Sequence, residues 1–445
     1  MKRELANYIV TPRIVLAGVE TEITIRPLGP HAFAERGEAI VKDDKYQVMF
    51  VPMCAAKASG TDYDVIAVRV SDDKCLRLKY TFQGEQEYML RLFKEDIDLS
   101  DPKTYTFNVR NKMLICFTVY SLFEDLYARR PYKGDFHVHS NASDGRECPE
   151  VTAANYRKNG FDFYALTDHH RYWPSVQCKA YYDTKPVDFR VFNGEEVHSP
   201  GNHVHIINFG SRYSINELFE KDPETYDREV RQILDTLTVP EGVIGFEYAA
   251  CLWVFRKIRE AGGLAIFAHP HWKNDAYHVA DTLSDALFKS GEFDVFELVS
   301  GHELHNNNLQ IAYYNDMRLR GINIPIVGSS DSHSSETTQH WFTVLYSIVF
   351  SKGLELEDIK EAIMAGYVSA VDKYPGEQAR VHSSYRLTLY SRFLLEEYFP
   401  LHEELCFEEG LLMKAMFLGD AKAEELLKQL RGQTEALLKQ YWGDK

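Results

Sequence analysis

The 445-residue chain has 66 acidic and 50 basic side chains and a formal net charge of −16. Such a surface argues against long nucleic acid, whose phosphates are held by clustered Lys and Arg; a small anionic substrate stays open, because bound metal can reverse the field within one pocket. The length calls for two or three domains, and with hydrophobic residues at 45%, charged residues at 26% and no low-complexity run, all of it can pack.

The opening stretch, MKRELANYIVTPRIV, has no apolar run of signal-peptide length, since Pro12 and Arg13 interrupt it. No segment reaches the roughly eighteen uncharged apolar residues that span a bilayer. Cys54, Cys75, Cys116, Cys148, Cys178, Cys251 and Cys406 form no CxxC pair, which favours a reducing compartment and makes the cytoplasm the expected location.

Residues 1–130 alternate apolar and polar side chains, as in Glu22-Ile-Thr-Ile-Arg26, Asp64-Val-Ile-Ala-Val-Arg69 and Met113-Leu-Ile-Cys-Phe-Thr-Val-Tyr120. This predicts a β-rich domain, a small sandwich, serving packing or homo-oligomer contacts. Residues 131–375 change to short apolar strands followed by helical stretches, the α/β alternation of a parallel sheet or barrel. The strands are expected at 136–138, 161–166, 189–193, 264–268, 295–299 and 324–327, with 204–209 in a hairpin to the third. Pro149 and Gly160 frame one connecting helix, and 215–262 reads as an insertion with two helical pieces broken near 240–245. Residues 376–445 read as a helical extension: helices at 385–398 and 403–416, then a last one capped by Asp420. Leu426, Leu427, Leu430, Leu437, Leu438 and Tyr441 give that last helix one apolar stripe for docking on the core or a second subunit.

Of 17 histidines, all but His31, His382 and His402 lie between His137 and His340. Strand after strand ends on a metal-ligand type. Asp135-Phe-His-Val-His139 puts His137 and His139 on one face; later ends carry Asp168 and His169, Glu195 and Glu196, His269, and Asp331 and His333. In a parallel barrel these ends meet at one rim, where active sites of that architecture lie. Imidazole with carboxylate and no thiolate suits Mn, Zn or Fe, and so many candidates imply two or three divalent ions with a bridging carboxylate, an arrangement that clamps displacement at phosphorus.

Over roughly residues 131–375 the chain resembles the PHP (polymerase and histidinol phosphatase) superfamily of metal-dependent phosphoesterases. The likeness rests on Asp135-Phe-His-Val-His-Ser140 with Asp144, on Thr167-Asp-His169 and on Gly194-Glu-Glu-Val197, followed by Val204-His-Ile206, Ala268-His-Pro270 and Ser330-Asp-Ser-His333, in the family's order. It implies a distorted (β/α)7 TIM-like barrel and a trinuclear site. His137, His139, Glu196 and Asp331 would hold one ion, Glu196 would bridge to a second bound by His205 and His269, and Asp144, His169 and His333 would hold the third. Glu196 is preferred to Glu195 and His205 to His203.

A divalent ion brings the pKa of bound water to about 7 and neutralises phosphate oxygens, so hydrolysis by metal-bound hydroxide needs no side-chain nucleophile. Ser140, Ser143 and Ser199 are therefore read as turn or supporting residues. Asp168 is a candidate to fix the tautomer of His169, and His170, His198, His271 and His302 are candidates to line the pocket. Arg146, Arg171 and Lys273 directly follow metal motifs and are the candidate phosphate clamps. The expected substrate is a small phosphate ester, such as a nucleotide, a nucleoside bisphosphate or a histidinol phosphate-like compound. The competing readings are a metal-dependent amidohydrolase and a non-catalytic protein whose metals order the barrel for binding or regulation.

Overall fold

The computed structural model describes residues 2–29, 41–54, 63–99, 107–336 and 341–443; His31 and His340 fall outside them. It divides into two compact units. The first comprises Met1–Arg129, Leu389–His402 and Gly432–Lys445, and the second Arg130–Thr388 and Glu403–Arg431.

The first unit contains β1 (Tyr8–Thr11), β2 (Ile14–Leu16), β3 (Glu20–Pro27), β4 (Lys45–Pro52), β5 (Asp64–Arg69), β6 (Leu76–Thr81), β7 (Gln86–Lys94) and β8 (Ile115–Leu122). They form a three-stranded sheet β1-β3-β6 and a five-stranded sheet β2-β8-β7-β4-β5. The period-two pattern sets the faces: along β3, Ile23 and Ile25 are buried while Glu22 and Arg26 are exposed. Ile23, Ile25 and Leu78 share one core with Val48, Phe50, Leu90 and Val119 of the other sheet. The C-terminal segment, expected as a separate extension, is divided between the units. Its part in the first is anchored by a buried ion pair, Arg13 Nη1 to Glu397 Oε2 at 2.6 Å, and by the Tyr441 hydroxyl donating to the Glu397 carbonyl. The expected last helix is two, Ala423–Leu430 and Gln433–Trp442. Gly432 takes φ +84 between them, so the leucine stripe does not run on, and Leu426 is exposed.

The second unit is mixed α/β. Its strands are β9 (Arg130–Asp135), β10 (Phe163–Ala165), β11 (Arg190–Phe192), β12 (Gly194–Val197), β13 (Ile206–Phe209), β14 (Leu264–Phe267), β15 (Val295–Val299), β16 (Ile326–Gly328), β17 (Leu345–Ser351), β18 (Val368–Asp372) and β19 (Arg380–His382). One sheet has the order β11-β10-β9-β17-β18-β19 and the other β12-β13-β14-β15-β16. The pairs β9/β10, β10/β11, β14/β15 and β15/β16 are parallel.

Several expectations change here. The hairpin expected at 204–209 is present, but β13 pairs with β12 at 194–197 rather than with 189–193; β13 is also antiparallel to β14, and β17, β18 and β19 add antiparallel strands, so the alternation is not purely parallel. The first strand ends at Asp135, before His137. The 215–262 stretch holds three helices, Asn216–Lys221, Pro223–Thr236 and Gly245–Glu260. Its extra break comes at Asp222, whose side chain accepts from Thr225 N–H with Pro223 following, a new helix start. No helix among the described residues is long and apolar enough to cross a membrane.

Candidate metal centre

Beyond β9 the chain leaves its sheet, and Val138 bridges Ser332 in parallel. That alignment sets His137 Nε2 3.2 Å and His139 Nε2 2.9 Å from Asp331 Oδ1. Asp135 fixes the crossing by accepting from the backbone N–H of His137 (3.2 Å) and of Ser330 (3.0 Å) and from the Tyr156 hydroxyl (2.9 Å). His269 and Asp331 both adopt left-handed backbone, φ +27 and +49. Non-glycine residues hold such angles at a cost and concentrate at functional sites.

Glu196 is where these side chains converge. Its Oε2 lies 2.8 Å from His169 Nδ1, 3.3 Å from His137 Nε2 and 3.4 Å from His139 Nε2. Its Oε1 lies 2.6 Å from His205 Nδ1 and 3.5 Å from His269 Nε2. Both oxygens are buried, yet neither has a hydrogen bond of acceptable geometry among the described residues. The nitrogens are close without aiming N–H groups at the carboxylate. A buried carboxylate left in that state costs on the order of several kcal/mol, and a cation among these atoms removes the cost.

Neighbouring sets of donors also fit an ion. His139, Asp144, His169 and His333 have ligand atoms within 4.8 Å of one another, as do His137, His139 and Glu196, then His137, His269 and Asp331, and finally His205, His269 and His278. The sets overlap: His139, expected at the first position, also stands with the third group, and His278 was not anticipated. Glu195, by contrast, turns away into donors from Asn208 (3.0 Å), Ser214 (2.7 Å), Asn216 (2.9 Å) and the Ile215 N–H. His203 is 84% exposed and pairs with Glu247.

The charges couple across the cluster. Burial alone would push the Glu196 and Asp331 carboxyls up, but the facing histidines outweigh it and hold both well below the usual range. Burial lowers an imidazole, yet Glu196 and Asp144 raise His169 to about 10, and the neighbouring acids also raise His137, His269 and His333. Burial prevails at His205 and His302, both taken down to about 3, and at His278, about 4. His169, at about 10, carries a proton at neutral pH, and a metal accepts only neutral imidazole, so uptake must release at least that proton. Apparent affinity should therefore rise from pH 6.5 toward the His169 value of about 10. Calorimetric titration in two buffers of different ionisation enthalpy checks this, and identical heats would contradict it.

Two supporting carboxylates differ from the sequence reading. Asp168 does not reach the His169 ring; its oxygens accept from Ser140 N–H (2.7 Å), Ser140 Oγ (2.7 Å) and Ser143 Oγ (2.6 Å), bracing the turn before Asp144. Short side chains next to a turn N–H win this carboxylate over a ring that already faces Glu196. The tautomer-fixing position falls to Glu297, unanticipated, whose Oε1 lies 3.1 Å from His137 Nδ1 and whose Oε2 accepts from the His269 N–H at 3.0 Å. A fully buried acid in the middle of the apolar strand β15 was the signal available. Glu297→Ala is expected to weaken metal binding by about 10–100-fold, read by competition with a chelating dye.

Arg146, Arg171, Lys273 and His170 are exposed. Arg146 N–H donates to the His333 carbonyl (3.0 Å) and Arg171 N–H to the Asp168 carbonyl (3.2 Å), so both cations start at the site while their side chains reach solvent. The His170 ring stands 4.6 Å from that of His198, which places its Nε2 2.8 Å from His169 Nδ1. His302 is buried 5.9 Å from the His269 ring, with neither nitrogen hydrogen-bonded among the described residues. His271 is buried further out, its N–H facing Gln310.

Among solved structures, a two-domain protein from Bacteroides vulgatus containing a predicted PHP-like metal-dependent phosphoesterase matches 55% of this chain at 19% identity and TM-score 0.39. The match spans 65% of that protein's own length. A protein from Bifidobacterium adolescentis, inferred to be a metal-dependent phosphoesterase, matches 52% of this chain and 95% of its own at 16% identity and TM-score 0.34. The chain is similar to PHP-like metal-dependent phosphoesterases. An amidohydrolase from Chromobacterium violaceum, solved with bound sulfate and no metal, matches 45% of this chain and 87% of its own at 19% identity and TM-score 0.32. No protein-family model and no curated protein matches the chain.

Proposed function

We propose that this chain is a metal-dependent phosphoesterase acting on a small phosphate ester, with two or three divalent ions, Mn, Zn or Fe, held by His137, His139, Asp144, His169, Glu196, His205, His269, Asp331 and His333. The observation that carries the reading is Glu196, a buried carboxylate with five imidazoles within 3.5 Å and, among the described residues, no hydrogen bond to either oxygen. Divalent ions bound there neutralise phosphate oxygens and acidify water at neutral pH.

The protein's own groups divide the remaining work. Glu297 holds the His137 ring so that Nε2 faces the acids. Asp144, with its side chain 54% exposed, His333 at 27% and His169 at 24% form the open side, opposite the sealed Glu196, and a substrate enters there. Arg146 and Arg171 stand beside that opening as phosphate clamps, with Lys273 and His170 further candidates to bind the leaving group. The hydroxyls of Ser140 and Ser143 are engaged by Asp168, which supports hydrolysis without a serine nucleophile.

The second unit is read as a distorted (β/α)7 barrel and the first as a β-sandwich. Support for the barrel comes from the His169 to Glu196 bridge between its two sheets, and support for the sandwich from the core its two sheets share. The activity is tested by assaying manganese-supplemented protein against a panel of small phosphate esters and of amides. Phosphate release that a chelator stops is the expected result; release from amides alone would replace this reading with the amidohydrolase one.

A further inference from the structure

The residues after His269 fold back on themselves. Trp272 N–H donates to the His269 carbonyl (3.0 Å), Val279 N–H to that of Pro270 (3.1 Å) and His278 N–H to that of Trp272 (2.8 Å), while Lys273 and Tyr277 bridge antiparallel. This hairpin returns His278 to the site it left nine positions earlier. The His278 ring centre stands 4.2 Å from that of His205 and 5.6 Å from that of His269. One ligand atom from each of the three rings lies within 4.8 Å of the others.

The orientation of the ring is as telling as its place. Its Nε2 is buried with no hydrogen-bond partner among the described residues. A backbone pinned by the hairpin, with a ring nitrogen withheld from both water and protein beside two other imidazoles, suits a histidine presented to a metal. His198 is also near, but its Nε2 is already 2.8 Å from His169 Nδ1.

We propose that His278 is a further protein ligand of the ion that Glu196, His205 and His269 would hold, tethering the 270–279 hairpin to the metal centre. The inference rests on the reading of this cluster as a metal centre. Three imidazoles and one carboxylate would supply the four protein ligands of a zinc-type shell. The same hairpin forms one wall of a groove of ≈ 450 Å³ lined by His203, Glu247, Tyr277, His278 and Asp281. Metal occupancy would thus shape the groove as well as the ion site.

The test uses the full-length chain stripped of metal and titrated with Co2+, whose visible bands report ligand number and type. His278→Ala should weaken one ion at least about 10-fold and change those bands, while His203→Ala, at a solvent-exposed ring, should do neither. In His278→Cys a thiolate at this position should add a near-ultraviolet charge-transfer band, an independent readout if the alanine variant folds poorly. Wild-type protein that binds Co2+, with folded position-278 variants showing unchanged affinity and bands and no thiolate transition, would overturn the proposal and leave the metal centre standing. Wild-type protein that binds no Co2+ would overturn both.

Discussion

Glu196→Gln should remove at least one ion and lower turnover by more than about 100-fold, the upper end of what losing even a supporting partner of a ligand costs. The amide carries no charge and offers one oxygen where the carboxylate faces His137, His139 and His169 with one atom and His205 and His269 with the other. Glu195→Gln is the informative comparison. That carboxylate accepts from Asn208, Ser214, Ile215 and Asn216, so an amide would set donor against donor and cost about 1–3 kcal/mol of stability. Its metal content per folded chain should nevertheless match wild type. Elemental analysis and activity of both variants decide the matter, and equal metal loss in the two would mean that the neighbouring acids do not divide the roles in this way.

Removing metal should abolish activity and lower the unfolding temperature together. An ion present at 100 times its Kd stabilises the folded state by about 2.7 kcal/mol, which at roughly 2–4 °C per kcal/mol is a fall of about 5–10 °C per ion on chelation. Buried acids and imidazoles that have lost their cation add to the effect. Scanning calorimetry with and without chelator, followed by repletion with Mn, Zn or Fe, reads it directly. An unchanged transition would mean that the cluster is satisfied by protons alone.

What the sequence disclosed and what it withheld follow from how far each signal reaches. Ligand-type residues at the ends of apolar runs are local features, and the structure brings all nine of the expected ones into one cluster. The preference for Glu196 over Glu195 has its counterpart in opposite faces of β12: one acid meets histidines, the other a ring of hydrogen-bond donors. Glu297 and His278 escaped notice for different reasons. The first sits in the middle of a strand and not at its end, where the other ligand types cluster, and the second reaches the site only because a hairpin turns back. Adjacency in sequence points Asp168 at His169, whereas in the fold it accepts from the Ser140 and Ser143 hydroxyls. Antiparallel β17, β18 and β19 fall outside the expected parallel alternation because an apolar run such as 345–351 does not encode the direction in which a strand pairs. The break at Gly432 is the glycine's own left-handed backbone, whereas the part of the C-terminal segment held in the first unit has long-range partners, Arg13 with Glu397 among them, that helical periodicity does not encode.

The central claim is that the histidine and carboxylate cluster around Glu196 is a metal centre, and the metal content of the purified chain tests it most directly. Protein prepared without chelator, replenished with Mn, Zn or Fe and freed of unbound ions, should carry two or three ions per chain by elemental analysis. A reproducible content near zero in folded protein would contradict the account.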